Sequence, residues 1–120
     1  MSVGQVFPEQ YSEQLTDKVN AVQQLLSDFN APEAEIFRSE PDHYRLRAEF
    51  RIWHNGDDIY HAMFDSQTRD KVRIDHFPVA CRTIADFMPV LLENIQFNHE
   101  LRYKLYQVDY LATLSGELLV

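Results

Sequence analysis

The chain has 120 residues, 45% apolar and 25% charged, with three glycines and five prolines, the material of one ordinary globular domain, which excludes collagen-like, low-complexity and disordered architectures. Eleven basic against 19 acidic side chains leave a net charge of −8, which excludes a surface that binds nucleic acid indiscriminately, because such affinity rests on cations at phosphates. A single cysteine, Cys81, excludes an internal disulfide and a multi-thiolate metal site, and with no apolar run near the ~20 residues of a membrane span and no secretion leader, a cytoplasmic protein without membrane contact is expected.

The first predicted element is a helix over 8–29. Tyr11, Leu15, Val19, Val22, Leu26 and Phe29 recur in steps of three or four and form one apolar stripe, and Pro8 suits the first turn, where its missing N–H costs nothing. Such a helix must lie on something. Asn30-Ala31-Pro32 ends it, and a short strand is expected at about 35–39. The strand expected over 43–54 is the most clearly patterned: Tyr44, Leu46, Ala48, Phe50 and Ile52 alternate without a break with Arg45, Arg47, Glu49, Arg51 and Trp53. Asn55-Gly56 signals a hairpin, and a return strand over 58–65 places Ile59, His61 and Met63 with Phe50 and Ile52, and Tyr60 and Phe64 with the arginines.

A polar loop at 65–70 leads to a strand over 71–77 with Val72 and Ile74 inward. A second helix is expected over 79–97, kinked or split by Pro89, and Asn98 is positioned to cap a short turn. The last long strand, 104–114, alternates Tyr106, Val108, Tyr110, Ala112 and Leu114 on one face. Glu117–Val120 opens another apolar strand with no polar ending, so the chain is expected to be the front portion of a longer protein. The fold class is α+β: an antiparallel sheet of four to five strands with two main helices packed on one face.

The face carrying Arg45, Arg47, Glu49, Arg51 and Trp53 is the main functional candidate, with Tyr60 and Phe64 beside it and Lys71 or Arg73 on the next strand. Residues 44–56 carry +2, leaving −10 on the rest. Guanidinium forks grip phosphate oxygens and flat rings accept unstacked bases, but Arg and Glu also populate ordinary solvated sheet faces, so both readings stand. Glu49, between two arginines, suits hydrogen-bond acceptance better than proton transfer. Tyr106 belongs by periodicity with the core, although its place at the start of a strand leaves exposure open. His54, Asp57, Asp58 and His61 gather at the hairpin, but turn-forming Asp and strand His account for them without a metal. Cys81 is best read as a small buried residue. Gly4, Gly56 and Gly116 are too scattered for a phosphate-cradling loop.

The run from His43 to His54, followed by Gly56-Asp57-Asp58 and later by Asp75 with Phe77-Pro78, resembles the N-terminal part of bacterial tRNA (uracil-5-)-methyltransferases. Glu35 to Ser39, Leu101-Arg102, Lys104-Leu105, Gln107 to Leu111 and Thr113 to Ser115 continue the likeness. The resemblance implies an S-adenosylmethionine-dependent enzyme that forms 5-methyluridine in the T loop of tRNA and in the tRNA-like part of tmRNA, on a uridine extruded from the loop. It further implies that a cysteine adds to uracil C6, that C5 takes the methyl group, and that a base then removes the C5 proton. In the family these groups and the cofactor site lie in a C-terminal Rossmann-like domain. The chain is then the RNA-recognition portion of a two-domain enzyme, inactive alone, with no catalytic, metal or cofactor residue of its own. Cys81 does not match the nucleophile's context. Glu49 and Arg51 match positions the family uses at the target loop. Tyr106 matches an aromatic, usually phenylalanine, that helps disrupt loop stacking. Arg45 and Arg47 extend this RNA-binding set by face parity. The implied partners are the tRNA T arm and tmRNA, not DNA, with the oligomeric state open. The competing expectation is an acidic protein-interaction or general RNA-binding module.

Overall fold

The unbroken alternation in the middle of the chain produces the longest strand, β1 (Arg47–Asn55), which buries Ala48, Phe50 and Ile52 and turns Arg47, Glu49, Arg51 and Trp53 outward. In the computed structural model, which describes residues 3–120, β1 sits at the centre of a five-stranded antiparallel sheet of order β3-β2-β1-β4-β5. The other strands are β2 (Asp58–Phe64), β3 (Lys71–Arg73), β4 (Gln107–Ala112) and β5 (Leu118–Leu119). The class is α+β. The chain divides into two compact units, one made of residues up to Val6 with Asp42–Val120, the other of Phe7–Pro41.

The hairpin register pairs Asn55 with Asp58, so the two turn residues are Gly56 and Asp57. Asn55 stays in the strand, and Gly56 supplies the positive φ of 63° at the position where a type II′ turn requires glycine. This register sets Ile52 opposite His61 on the inner face and Trp53 opposite Tyr60 on the outer.

Helix α2 (Arg82–Ile95) closes the inner face by sending Ile84, Met88 and Ile95 into the core with Phe50, Val108 and Tyr110. It runs through Pro89 without the expected split. Pro89 is on the exposed side of the helix, so the backbone bond it removes is lost where solvent can replace it. At the centre, the Phe50 ring meets His61, Phe77 and Tyr110 edge to face at 5.0, 5.0 and 5.9 Å. His61 is 1% exposed, and its Nε2 shares a 2.7 Å hydrogen bond with the Tyr110 hydroxyl. Burial pulls the imidazole down to about 4, against a smaller upward pull from Asp75, and burial likewise raises Tyr110. Both groups are therefore neutral near pH 7.

Strand ends differ from the periodic expectation for local reasons. Residues 43–45 run beside the 78–80 segment, with Tyr44 N–H and Arg45 N–H both donating to the Val79 carbonyl. β3 stops at Arg73, and Ile74 and Phe77 turn into the core. Lys104 takes a left-handed φ of 55°, so the strand expected from 104 does not start there, and β4 runs from Gln107 to Ala112. Asn98 caps the short helix α3 (His99–Arg102) through a 3.0 Å bond from Leu101 N–H. Arg102 then donates to the carbonyls of Gly56, Asp57 and Gln96, tying the hairpin turn to the end of α2.

In the smaller unit, helix α1 (Tyr11–Leu25) follows a 3-10 turn at Pro8–Gln10, and a second such turn spans Ser27–Phe29. The expected strand at 35–39 is absent. These residues have no neighbouring strand to pair with and instead lie along α1: the Tyr11 hydroxyl accepts from Ser39 N–H at 2.7 Å, and Arg38 stacks 5.4 Å from the Tyr11 ring centre. No residue of α1 is fully buried. No helix among the described residues is long and apolar enough to cross a membrane.

Candidate nucleic-acid interface

The period of two that builds the core also builds the outward face, because every side chain skipped by the core must project from the other side of β1. Arg47, Glu49, Arg51 and Trp53 alternate there, and Arg45 precedes them, exposed. Two open grooves of about 570 Å³ each run along the strand. One is lined by Arg45, Leu46, Arg47, Ala48, Glu49, Met63 and Phe77. The other is lined by Arg51, Ile52, Trp53, His54, Phe64 and Tyr106. The five residues singled out in the sequence thus fall into two groups: Arg45, Arg47 and Glu49 in one groove, Arg51 and Tyr106 in the other.

The cations on this side are not equivalent. Arg47 donates to the Glu49 carboxylate in an exposed pair, a contact of the kind that contributes little to stability. Arg73 is committed: its Nε donates to both Asp75 oxygens at 2.9 and 3.0 Å and its Nη1 to Asp58 at 3.0 Å, which raises its proton affinity further. Arg45, Arg51 and Lys71 form no ion pair among the described residues. Their charge is available to an outside anion. Glu49 faces Asp109 across β1 and β4, an arrangement of like charges that a sheet does not favour for its own sake. Arg47 on one side and the Gln107 amide, which donates to Asp109 at 2.9 Å, offset it.

Tyr106 does not join the core as its periodicity suggested. It sits just before β4, 59% exposed, and packs edge to face with His54 at 5.8 Å. The His54 imidazole is itself held at 2.7 Å by the Leu105 carbonyl. Tyr60, expected on the open arginine face, is only 7% exposed. Arg73 and Lys71 cover it at 4.5 and 5.4 Å from its ring centre. Trp53 and Phe64 remain open at 40% and 50%, with centroids 6.3 Å apart and planes at 76°.

The hairpin's four possible metal ligands separate. His61 is sealed in the core, Asp58 is engaged by Arg73, and no group of three His, Cys, Asp or Glu side chains suited to a metal forms among the described residues. Cys81 is half-buried rather than fully buried and is the N-cap of α2, its N–H donating to the Arg45 carbonyl. Gly4, Gly56 and Gly116 lie in separate turns, so these residues offer no glycine-rich cradle for a nucleotide-like cofactor.

Comparison with known proteins bears on the same stretch. Residues 10–120 match the family model of tRNA (uracil-5-)-methyltransferases. A protein of Vibrio atlanticus named tRNA/tmRNA (uracil-C(5))-methyltransferase is 51% identical over 116 residues, covering 97% of this chain and 31% of the relative. Proteins of the same name from Erwinia tasmaniensis and Vibrio parahaemolyticus are 54% and 51% identical, covering 93% and 100% of this chain and 30% and 32% of their own lengths. The chain spans about a third of the length of these curated relatives.

Proposed function

This chain belongs to the tRNA (uracil-5-)-methyltransferase family, and from that premise we propose that it is the portion of such an enzyme that holds the RNA while the reaction takes place elsewhere in the protein. The substrates proposed are the T arm of tRNA and the corresponding arm of tmRNA, and the product is 5-methyluridine. The observation that carries this reading is the groove in which Arg51, without an ion pair among the described residues, lies with the exposed rings of Trp53, Phe64 and Tyr106. A single cation flanked by open rings suits a loop whose bases are already unstacked, and it suits a regular duplex poorly, because a duplex offers phosphates but no free base faces.

The residues divide the work. Arg51 and Arg45 supply phosphate contacts, with Arg47 joining them at the expense of its pair with Glu49. The Glu49 carboxylate accepts a hydrogen bond from a base N–H or a ribose hydroxyl. Tyr106 offers its ring to a base displaced from the loop stack. S-Adenosylmethionine, which supplies the methyl group in this reading, is proposed to bind elsewhere in the protein, since the three glycines lie in separate turns and no nucleophile with an adjacent base is found among the described residues. Cytoplasmic action follows from the substrates proposed.

The test is binding of a T-arm hairpin by the chain and its variants at fixed salt. Arg51→Ala is expected to weaken binding about tenfold, as loss of a charge-assisted contact does, and Glu9→Ala to leave it unchanged. Equal effects of the two would contradict the assignment and favour a protein-interaction module with a solvated arginine strand. In the full-length protein, Cys81→Ser is expected to keep methylation; loss of activity with folding intact would overturn the statement that the nucleophile lies elsewhere.

A further inference from the structure

We infer that Trp53, with Phe64 as its perpendicular wall and Lys71 over its ring, is a second stacking seat for an unpaired nucleobase, and that the Lys71 ammonium transfers to the phosphate beside that base. This rests on the RNA-holding reading above and adds a site to it. Trp53 is the only tryptophan in the chain, and it stands on the outer face of the central strand with Phe64 at 6.3 Å and 76°. Ala62, opposite Arg51 in the register, is the small residue that leaves room for the two rings to lean together. Two large rings half-open to water on adjacent strands are costly to solvate, and a flat apolar partner removes that cost.

Lys71 gives the seat its second half. Its Nζ lies 4.3 Å from the Trp53 ring centre and 5.4 Å from that of Tyr60, and it forms no ion pair among the described residues. A cation held by ring quadrupoles alone is exchangeable, unlike Arg73, whose guanidinium is fixed by two carboxylates. An incoming base takes the ring face while the ammonium moves to the phosphate. Trp53 and Tyr106 line one groove with Arg51, so the groove offers a ring to each of two displaced bases. A duplex cannot offer that pair.

The experiment titrates the chain with a T-arm hairpin and with the same stem closed as a blunt duplex. Tryptophan emission reports on Trp53, and the anisotropy of a dye on the RNA reports binding independently. The hairpin is expected to quench Trp53 emission as it binds, and the duplex to bind weakly without quenching. Trp53→Leu is expected to lose about tenfold in hairpin affinity, the scale of one base stacked on a ring, and Trp53→Phe to stay within about twofold of the parent. Lys71→Met is expected to make the salt dependence shallower by about one unit of log–log slope. Hairpin binding without any change in Trp53 emission, or equal affinity for Trp53→Leu and Trp53→Phe, overturns the seat and leaves the RNA-holding reading standing. Absence of hairpin binding by anisotropy overturns both.

Discussion

The two faces of the central strand are made from neighbouring residues and do opposite things. On the inner face Phe50, Ile52 and, across the register, His61 are sealed against α2, and even the buried imidazole has a partner in Tyr110. On the outer face Arg51, Trp53 and Phe64 stay open, and three cations on that side, Arg45, Arg51 and Lys71, lack any ion pair among the described residues. Stability is thus concentrated at even positions of β1, and recognition is proposed for the odd ones. A substitution should therefore register in unfolding or in RNA binding, seldom in both.

The largest expected effect is at the inner face. Phe50→Ala removes a ring that three other aromatics meet edge-on, and chemical denaturation should show a loss of about 3–5 kcal/mol. The acid limb of the stability curve comes next. His61 sits near 4 in the folded chain and near 6.5 when unfolded, so the unfolded state binds the extra proton as pH falls. Stability should be level above pH 7 and decline from about 6.5 toward 4, by about 3 kcal/mol in total; His61→Phe should flatten that limb. Tyr110→Phe strands the imidazole Nε2 and should cost about 1–3 kcal/mol at pH 7. At the outer face, Arg51→Ala should leave unfolding within about 0.5 kcal/mol of the parent while lowering T-arm affinity. The smallest change is expected for Arg47→Ala, whose pair with Glu49 is exposed on both sides, so the unfolding midpoint should match that of the parent. An outer-face variant that unfolds the chain, or an inner-face variant that keeps its stability, breaks the division.

Much of this was legible in the sequence because a period of two on a strand buried on one side admits one register, and Asn55-Gly56 marked the turn to within one residue of its place at Gly56-Asp57. What escaped it were effects that depend on neighbours distant in sequence. A strand is expected at 35–39, but an extended segment without a pairing edge lies along α1 instead. Pro89 breaks a pattern on paper, yet on the solvent side of α2 its missing N–H is tolerated. Parity assigned Tyr106 to the core, and the left-handed turn at Lys104 delayed the strand enough to leave the ring outside. Tyr60 has the right parity for an open ring but lies beneath Lys71 and Arg73, and Arg73 is held by Asp75 two residues on and by Asp58, which no local pattern connects to it. Asp58 lies within reach of Arg73 only once β2 and β3 pair. Arg102 gave no sign of its hold on the hairpin turn, since its three carbonyl partners belong to loops.

The central claim, that the Arg45 and Arg51 guanidinium groups, which form no ion pair among the described residues, grip the phosphates of the T arm, is tested most directly by the salt dependence of binding. Log affinity for a T-arm hairpin plotted against log salt should fall with a measurable slope for the parent chain, and Arg45→Gln with Arg51→Gln should make it shallower by about 1.5 to 2, one lost counterion-releasing contact for each arginine. A slope unchanged by the double substitution would contradict the claim and return the arginine strand to the role of a solvated sheet face.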